Sequence, residues 1–500
     1  MDLLVLILCA YLAWGLVQAL RFITRKTKPS PSNLPPGPPP LPVIGNLLEL
    51  GNLPHQSLAK LARTYGPIIK LQLGAVTTVV ISSPTLSKEI LQTRDISFAD
   101  RMIPDAINAF NQGQRSLPWV PVSPLWRNLR RIFNQHLFSN LKLDSTQHLR
   151  RKKVQELLAH AERSARAGDE VEIGEAAFTT SINFLATAVF SLDLVDRSSG
   201  SAKEFKQTVW QIMVEAGKPN VVDFFPVLRK IDPQGTRRRM TRHFGKMFNL
   251  FDRLIEERLR LRETPGSPRM NDVLDTLIDI CEDKEEDMDM SQLKPLLLDV
   301  FVAGADTTSS SVEWAMAELL HRPEKLSKAQ AELHQVIGKG NLVDESDAAR
   351  LPYLQAIVKE TFRMHPAVPL LLPRKSGADL EVGGYTIPEG TQVFVNVWAI
   401  GRDPTLWEDP DVFSPERFLG SDMDVKGHSF ELTPFGGGRR ICIGLPLALR
   451  TLHVMLGSLL NCFDWRLADG ALPEDMSMEE KFGITLAKAQ PLKAVPVPLR

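Results

Sequence analysis

Pro434-Phe435-Gly436-Gly437-Gly438-Arg439-Arg440-Ile441-Cys442-Ile443-Gly444-Leu445-Pro446 sets three consecutive glycines, two arginines and one cysteine directly ahead of an apolar run, Leu447 to Leu460, that reads as a helix. Glycine reaches backbone conformations closed to other residues, so this loop can lie flat against a large ligand. A helix starting just past the cysteine offers unpaired N–H groups and the positive end of its dipole, both of which favour a thiolate. The cysteine has no CxxC partner and no nearby histidine pair. That argues against zinc, which takes four nitrogen or sulfur ligands in a structural site.

A single axial thiolate is what a haem iron takes when oxygen cleavage is the task. The spacing Phe435, Gly438, Arg440, Cys442, Gly444 resembles the haem-binding signature of the cytochrome P450 monooxygenases. A glycine-rich turn before a core helix, holding a buried structural cysteine, would explain an isolated cysteine equally well; the matched neighbours set this stretch apart. The resemblance implies haem b with Cys442 as its metal ligand and with Phe435, Arg440 and Gly444 as cofactor-binding positions. It also implies O2 as co-substrate and electrons from NADPH through NADPH-cytochrome P450 reductase.

The chain has 500 residues, and after the first forty no polar, repetitive or low-complexity break divides it, so one large domain is expected. Lys plus Arg and Asp plus Glu are both 59, a balance that recommends no nucleic-acid partner. Cys9, Cys281, Cys442 and Cys462 are few and widely spaced, which suits a reducing compartment. Leu3 to Leu20 carries no charge and, at roughly 18 residues, reaches the lower limit for a bilayer span. Arg21, Arg25, Lys26 and Lys28 follow it, placing the rest of the chain on the cytosolic side. The division expected is 1–22 as transmembrane signal anchor, 23–45 as basic and proline-rich hinge, and 46–500 as catalytic domain. Microsomal members of the family share this anchor and hinge, which implies a single-pass protein of the endoplasmic reticulum membrane.

Ile69 to Ile81 alternates and is β-branched, a hairpin signal, and further strands are expected around Leu380 to Val397. Most of the remainder has helical spacing, giving a mainly α (α+β) fold, helix-rich with small sheets. The acidic patch Glu282-Asp283-Lys284-Glu285-Glu286-Asp287 reads as a solvated loop.

Trp126 and Arg130 lie four apart on one helical face, a pair that alone would merely cap a core. Beside the cysteine loop it resembles the family's WxxxR helix, whose side chains bind a haem propionate. Leu296 to Leu320 is the longest strongly apolar helical stretch, interrupted by Ala303-Gly304-Ala305-Asp306-Thr307-Thr308. Gly304 costs about 1 kcal/mol of helix propensity relative to alanine, and the threonines are poor helix formers. A small residue would let a flat ligand and dioxygen approach the backbone, and a hydroxyl beside a carboxylate can relay protons through water. The string resembles the family's oxygen-activating motif, which implies catalytic roles for Asp306 and Thr307.

Glu360 and Arg363 sit at i and i+3, which by sequence alone reads as a surface ion pair. They resemble the family's ExxR motif, with Arg417 of Pro415-Glu416-Arg417-Phe418 at the matching partner position, and this implies a structural role for Glu360, Arg363 and Arg417. Arg374 of Pro373-Arg374 matches a further propionate-binding position. Longer strings (DTTSSSVEWAMAELL at 306–320, LPYLQAIVKET at 351–361, NVWAIGRDPTLW at 396–407, KFGITLAKAQPL at 481–492) look like the plant geraniol 8-hydroxylase group. Members of that group hydroxylate monoterpenols and iridoid precursors, while close relatives oxidise diterpenoid, phenolic or alkaloid skeletons.

By family position the substrate pocket falls on 103–119, 209–225, 303–307, 367–372 and 482–486, with Ala303, Val368, Leu372, Phe482 and Ile484 as lining residues. These are apolar, which suits a small lipophilic substrate. Two readings of other classes are an O2-independent haem-thiolate isomerase or dehydratase and a non-enzymatic haem-binding membrane protein. Neither would need Asp306-Thr307. Ile443 stands where plant relatives mostly have proline, leaving an N–H that, placed close to the sulfur, would raise the iron potential.

Overall fold

Strands form where the sequence alternates. Ile68–Leu73 (β1) and Val76–Ile81 (β2) hold the β-branched run, and Gly74-Ala75 closes them into an antiparallel hairpin with Ile68 opposite Ile81 and Leu73 opposite Val76. The computed structural model describes residues 33–192, 200–267, 269–283 and 288–499, with single positions 5, 11, 14 and 15. In it, Gln392–Val395 (β5) runs parallel to β2, Arg374–Lys375 (β4) pairs antiparallel with β5, and Asp100–Arg101 (β3) completes a sheet of order β1-β2-β5-β4-β3. One pairing in that sheet sets Arg101 directly opposite Arg374. Leu380–Val382 and Tyr385–Ile387 form a separate small hairpin.

Helices make up the rest: Pro54–Tyr65 (α1), Pro124–Ile132 (α2), Ile173–Phe190 (α3), Gly200–Gly217 (α4), Thr236–Glu263 (α5), Met290–His321 (α6), Pro352–Met364 (α7) and Leu445–Cys462 (α8). The helix-rich α+β class expected from the spacing is the class observed. At the start of α6 the Asp289 carboxylate accepts from the Ser291 N–H, an acidic N-cap.

Helix α6 runs through two apolar clusters. Its first half, from Leu293 to Ala305, packs with residues of α3 and α5; its second half, Val312 to Leu320, packs with α7 and α8. The string Ala303 to Thr308 falls at the seam between them. There Ala303 is exposed, and Val302, Gly304 and Thr307 are partly so, although the flanking turns are buried. A core helix with an accessible face at its middle borders an internal space.

Pro36 to Asn46 is not a free spacer. The Lys70 N–H donates to Pro36 O at 2.8 Å, the Asn46 amide donates to Pro38 O and Pro39 O, and the Gln72 N–H donates back to Asn46 Oδ1 at 2.8 Å. The end of the expected hinge is therefore laid along β1. The expected anchor, 1–22, and residues 284–287 of the acidic patch lie outside the described residues, save for the single positions given above. Among described helices, α3 and α8 are long and apolar enough to cross a membrane, but 78% and 67% of their residues are buried in the fold.

Candidate active site

The cysteine loop is held open by its own backbone. Gly438 has φ +63°, and a Cβ there would meet Leu91 O at 1.9 Å, so only glycine fits. The Arg439 N–H donates to Asp95 Oδ2 at 2.9 Å, and the Cys442 N–H donates to Phe435 O at 2.9 Å. The Phe435 ring meets Phe362 of α7 edge-on, with centroids 5.2 Å apart. Helix α8 begins at Leu445 with Pro446 in its first turn, where a missing N–H costs nothing.

The first N–H groups of a helix have no intrahelical acceptor, and here those of Gly444 and Leu445 aim at the Cys442 sulfur. Burial pushes the Cys442 thiol up, while these two N–H groups and the Arg130 guanidinium pull it down toward thiolate. The residue is nevertheless exposed by surface area. A sulfur both enclosed by protein and accessible faces an interior space. The Ile443 N–H is not among the groups acting on the sulfur; the Ile443 side chain packs against the apolar cluster of α3 and α5. The expectation that position 443 adds a donor is corrected accordingly.

Four arginines gather beside this space, and none of them forms an ion pair among the described residues; Asp100 and Asp95 act only from a distance, on Arg440 and Arg374. Arg440 donates from Nε to Ala99 O at 2.8 Å, from Nη1 to Leu117 O at 3.1 Å and from Nη2 to Val120 O at 2.5 Å. Arg130 donates to Ile441 O at 2.9 Å, and Arg374 to Phe98 O at 3.1 Å. Arg101 donates to Pro118 O at 3.2 Å and Leu372 O at 2.9 Å. The buried Trp126 ring lies 5.6 Å from the Arg130 guanidinium and 4.9 Å from that of Arg440.

Burial and mutual repulsion act together on these cations. Burial, then Arg440, pushes Arg374 down to about 10; burial brings Arg440 to about 10 as well, with Arg130 adding to the effect and Asp100 opposing it. Arg101 is lowered by burial and by both Arg374 and Arg440. Buried Nε of Arg374 has no partner. Like charges directly opposite across strands are destabilising, so Arg101 facing Arg374 calls for an anion. A thiolate-competent sulfur on an interior space, next to a surplus of buried cations, fits a haem with its two propionates. Arg101 was not anticipated: its acceptors lie 17 and 271 residues away in the chain, beyond any local pattern.

On α6 the acid and the alcohol point differently. Asp306 is buried and burial raises its pKa, with the neighbouring Thr485 opposing that rise. Thr307 is partly exposed and donates to Ala303 O at 2.8 Å, so its oxygen keeps lone pairs for the cavity. Gly304 does not face the cavity through its missing side chain. A Cβ there would meet Leu185 Cδ1 of α3 at 2.9 Å, so its smallness serves helix packing, and the expectation of ligand approach passes to Ala303.

The other expected lining segments converge on one another. The Leu486 N–H donates to Ala367 O at 2.8 Å, and Leu486 O accepts from the Ser310 hydroxyl at 2.7 Å and Trp314 Nε1 at 3.1 Å. A Cβ on Gly217, at the end of α4, would strike Ile484 N at 2.5 Å. Val368 and Leu372 are half-buried. Phe482 stands apart: it stacks on His55 at 5.5 Å and lines a separate cavity of about 750 Å3 with Glu318, His365, Trp398 and Glu480.

Glu360 and Arg363 are wholly buried, not a surface pair. Arg363 donates to both Glu360 oxygens at 2.7 Å, Arg417 donates to Glu360 Oε1 at 3.1 Å, and the Ser414 N–H donates to the same oxygen at 2.7 Å.

The family model for cytochrome P450 matches residues 35–492. The chain belongs to the cytochrome P450 family. It is 57% identical to a geraniol 8-hydroxylase of Swertia mussotii over 97% of both chains, and 54% identical to one of Catharanthus roseus over 99% of both. A zebrafish cytochrome P450 solved with abiraterone superposes with TM-score 0.76 at 27% identity, covering 90% of this chain and all of that one. The protein is a cytochrome P450 monooxygenase, a family that uses O2 on a haem with a thiolate cysteine.

Proposed function

We propose that this cytochrome P450 hydroxylates a small terpenoid, a geraniol-type monoterpenol or a related iridoid precursor, drawing electrons from NADPH through the membrane-bound reductase. The observation that carries the cofactor part is the cluster of Arg101, Arg130, Arg374 and Arg440, none of them in an ion pair among the described residues, beside the Cys442 thiol. The substrate part is supported by the two geraniol 8-hydroxylases that match almost end to end. In this reading residues 1–22 anchor the chain in the endoplasmic reticulum membrane, 23–45 form the hinge, and the catalytic domain is cytosolic.

Bound haem supplies oxygen activation, with thiolate ligation favouring O–O cleavage. Cys442 would supply the thiolate that holds its iron. The four arginines and Trp126 would hold its propionates, and Phe435 and Gly444 would shape the thiolate side. Asp306, buried and so readier to hold a proton than a surface carboxylate, keeps that proton next to the cavity. The oxygen of Thr307, whose hydrogen is engaged by Ala303 O, accepts hydrogen bonds on the oxygen-binding side and orders the water through which the Asp306 proton travels. Ala303, Val368, Leu372 and Ile484 exclude bulk water and leave an alcohol-bearing hydrocarbon few polar contacts. Glu360, Arg363 and Arg417 fix the backbone behind the loop.

Microsomes carrying the full chain and the reductase test this with a panel of monoterpenols, diterpenes and phenolics under isotopically labelled O2. One labelled hydroxyl on a monoterpenol, formed only with NADPH, is expected. A normal carbon monoxide difference band with no NADPH-dependent product from any terpenoid would overturn the substrate assignment; absence of that band would overturn the cofactor assignment.

A further inference from the structure

Leu117 joins two parts of the molecule far apart in sequence. Its N–H donates to Asp299 Oδ2 at 2.8 Å, and its carbonyl accepts from Arg440 Nη1 at 3.1 Å. The preceding residue, Ser116, donates its hydroxyl to Asp299 Oδ1 at 2.5 Å. Both oxygens of one carboxylate thus hold the segment 116–120 from the α6 side. Arg101 and Arg440 hold it from the other, through Pro118 O and Val120 O. Ser116, Leu117, Trp119 and Val120 are all buried and Asp299 is half-buried, so water replaces these bonds poorly.

Asp299 stands four residues before Ala303 and eight before Thr307, on the same face of α6. We propose that Asp299 is a positioning residue: it fixes segment 116–120 as a wall of the substrate cavity and, through Leu117, sets the carbonyls that orient Arg440. Its effect on turnover rests on the hydroxylase reading above; its grip on the segment does not.

The chemistry predicts a distinctive pH response. Burial pushes the Asp299 carboxyl up to about 7, with Ser116 and Leu117 opposing. Arg101 and Arg440 meet segment 116–120 through its carbonyls and not through Asp299, and several charged groups on the elements packed against α6 pair with one another. Glu175 of α3 pairs with Lys206, Glu204 of α4 with Lys246 of α5, Glu215 of α4 with Arg239 of α5, and Lys294 of α6 with Asp252 of α5. Arg115, next to Ser116, acts on Asp289. Ionised, Asp299 accepts from both donors. Protonated, one oxygen carries a hydrogen, and the grip weakens.

Hydrogen exchange on the full-length haem-loaded protein reads this directly at the amides of 116–120, corrected for intrinsic rates. In the parent, the Leu117 amide is expected to be about tenfold better protected at about pH 8 than at about pH 6, because a charged acceptor is roughly twice as strong as a neutral one. Asp299→Asn keeps an acceptor but does not titrate, so protection should become independent of pH. Asp299→Ala should lose protection at every pH and raise KM more than it lowers kcat. Should the alanine variant not fold, the asparagine variant decides alone. Equal protection of the parent at both pH values, or a pH response surviving in Asp299→Asn, would overturn the proposal. A protein that turned over no terpenoid would leave the exchange result standing and count against the functional reading only.

Discussion

Two arginine assemblies lie buried in this molecule, and they are built on opposite principles. Around Glu360, the guanidinium of Arg363 makes two parallel bonds to a carboxylate, spends its remaining hydrogens on Gly401 O, Pro410 O and Val412 O, and shares the carboxylate with Arg417. Around Trp126, Arg101, Arg130, Arg374 and Arg440 donate to backbone carbonyls and repel one another, with Asp100 and Asp95 acting on Arg440 and Arg374 from beyond ion-pair distance. Charge that is compensated inside the chain makes architecture. Charge that is left uncompensated marks a site for an anion the chain does not carry, since burying a cation without a partner costs several kcal/mol.

The largest way to break the contrast is Glu360→Gln. Without the carboxylate the wholly buried Arg363 and the half-buried Arg417 lose their counter-charge, and a loss of about 3–5 kcal/mol is expected. Denaturant midpoints should fall equally in haem-free and haem-loaded protein. A loss seen only in the loaded form would mean that this assembly, too, answers to the cofactor.

Arg374→Met should behave the other way. Its Nε has no partner and its one backbone bond is to Phe98 O, so the haem-free protein should change by no more than about 1 kcal/mol, with a gain as the expected sign. Haem affinity, followed by titration of the Soret band, should fall about tenfold for the loss of one charge-assisted bond. The pH dependence follows from a folded pKa of about 10, below the ordinary arginine value. The burial cost is complete below that pH and fades as pH rises through it, because the folded state then sheds a proton that the unfolded state keeps. The advantage of Arg374→Met in the haem-free protein should therefore shrink above about pH 10.

The same contrast explains what the sequence made legible. The hairpin of β1 and β2 could be read because alternation and a glycine turn are local, and the cysteine loop because five residues in ten carry it. The Glu360–Arg363 spacing was legible but its burial was not: i and i+3 describes an exposed pair and a sealed one alike. Arg101 was invisible, since what makes it functional is a short strand that sets it opposite Arg374, 273 positions later by residue number. Gly304 was read for the wrong neighbour, because only the fold brings Leu185 against it. Asn46 likewise gave no sign that it would tie the proline run to the sheet.

The finest test asks how far the uncompensated cluster reaches toward the sulfur. Arg130 belongs to that cluster and also favours the Cys442 thiolate, whereas Ile443, next in sequence, contributes no N–H to the sulfur. Arg130→Gln removes a cation from beside a buried thiol, so the thiol pKa must rise, and alkylation of haem-free protein by iodoacetamide should require higher pH. Ile443→Pro should leave that profile unchanged, because the donors in place are the Gly444 and Leu445 N–H groups, which proline at 443 does not remove. In loaded protein the iron potential should follow the same order, shifting with Arg130→Gln and holding with Ile443→Pro. A potential that moved with Ile443→Pro alone would place control of the thiolate in the loop backbone and confine the arginines to binding the propionates.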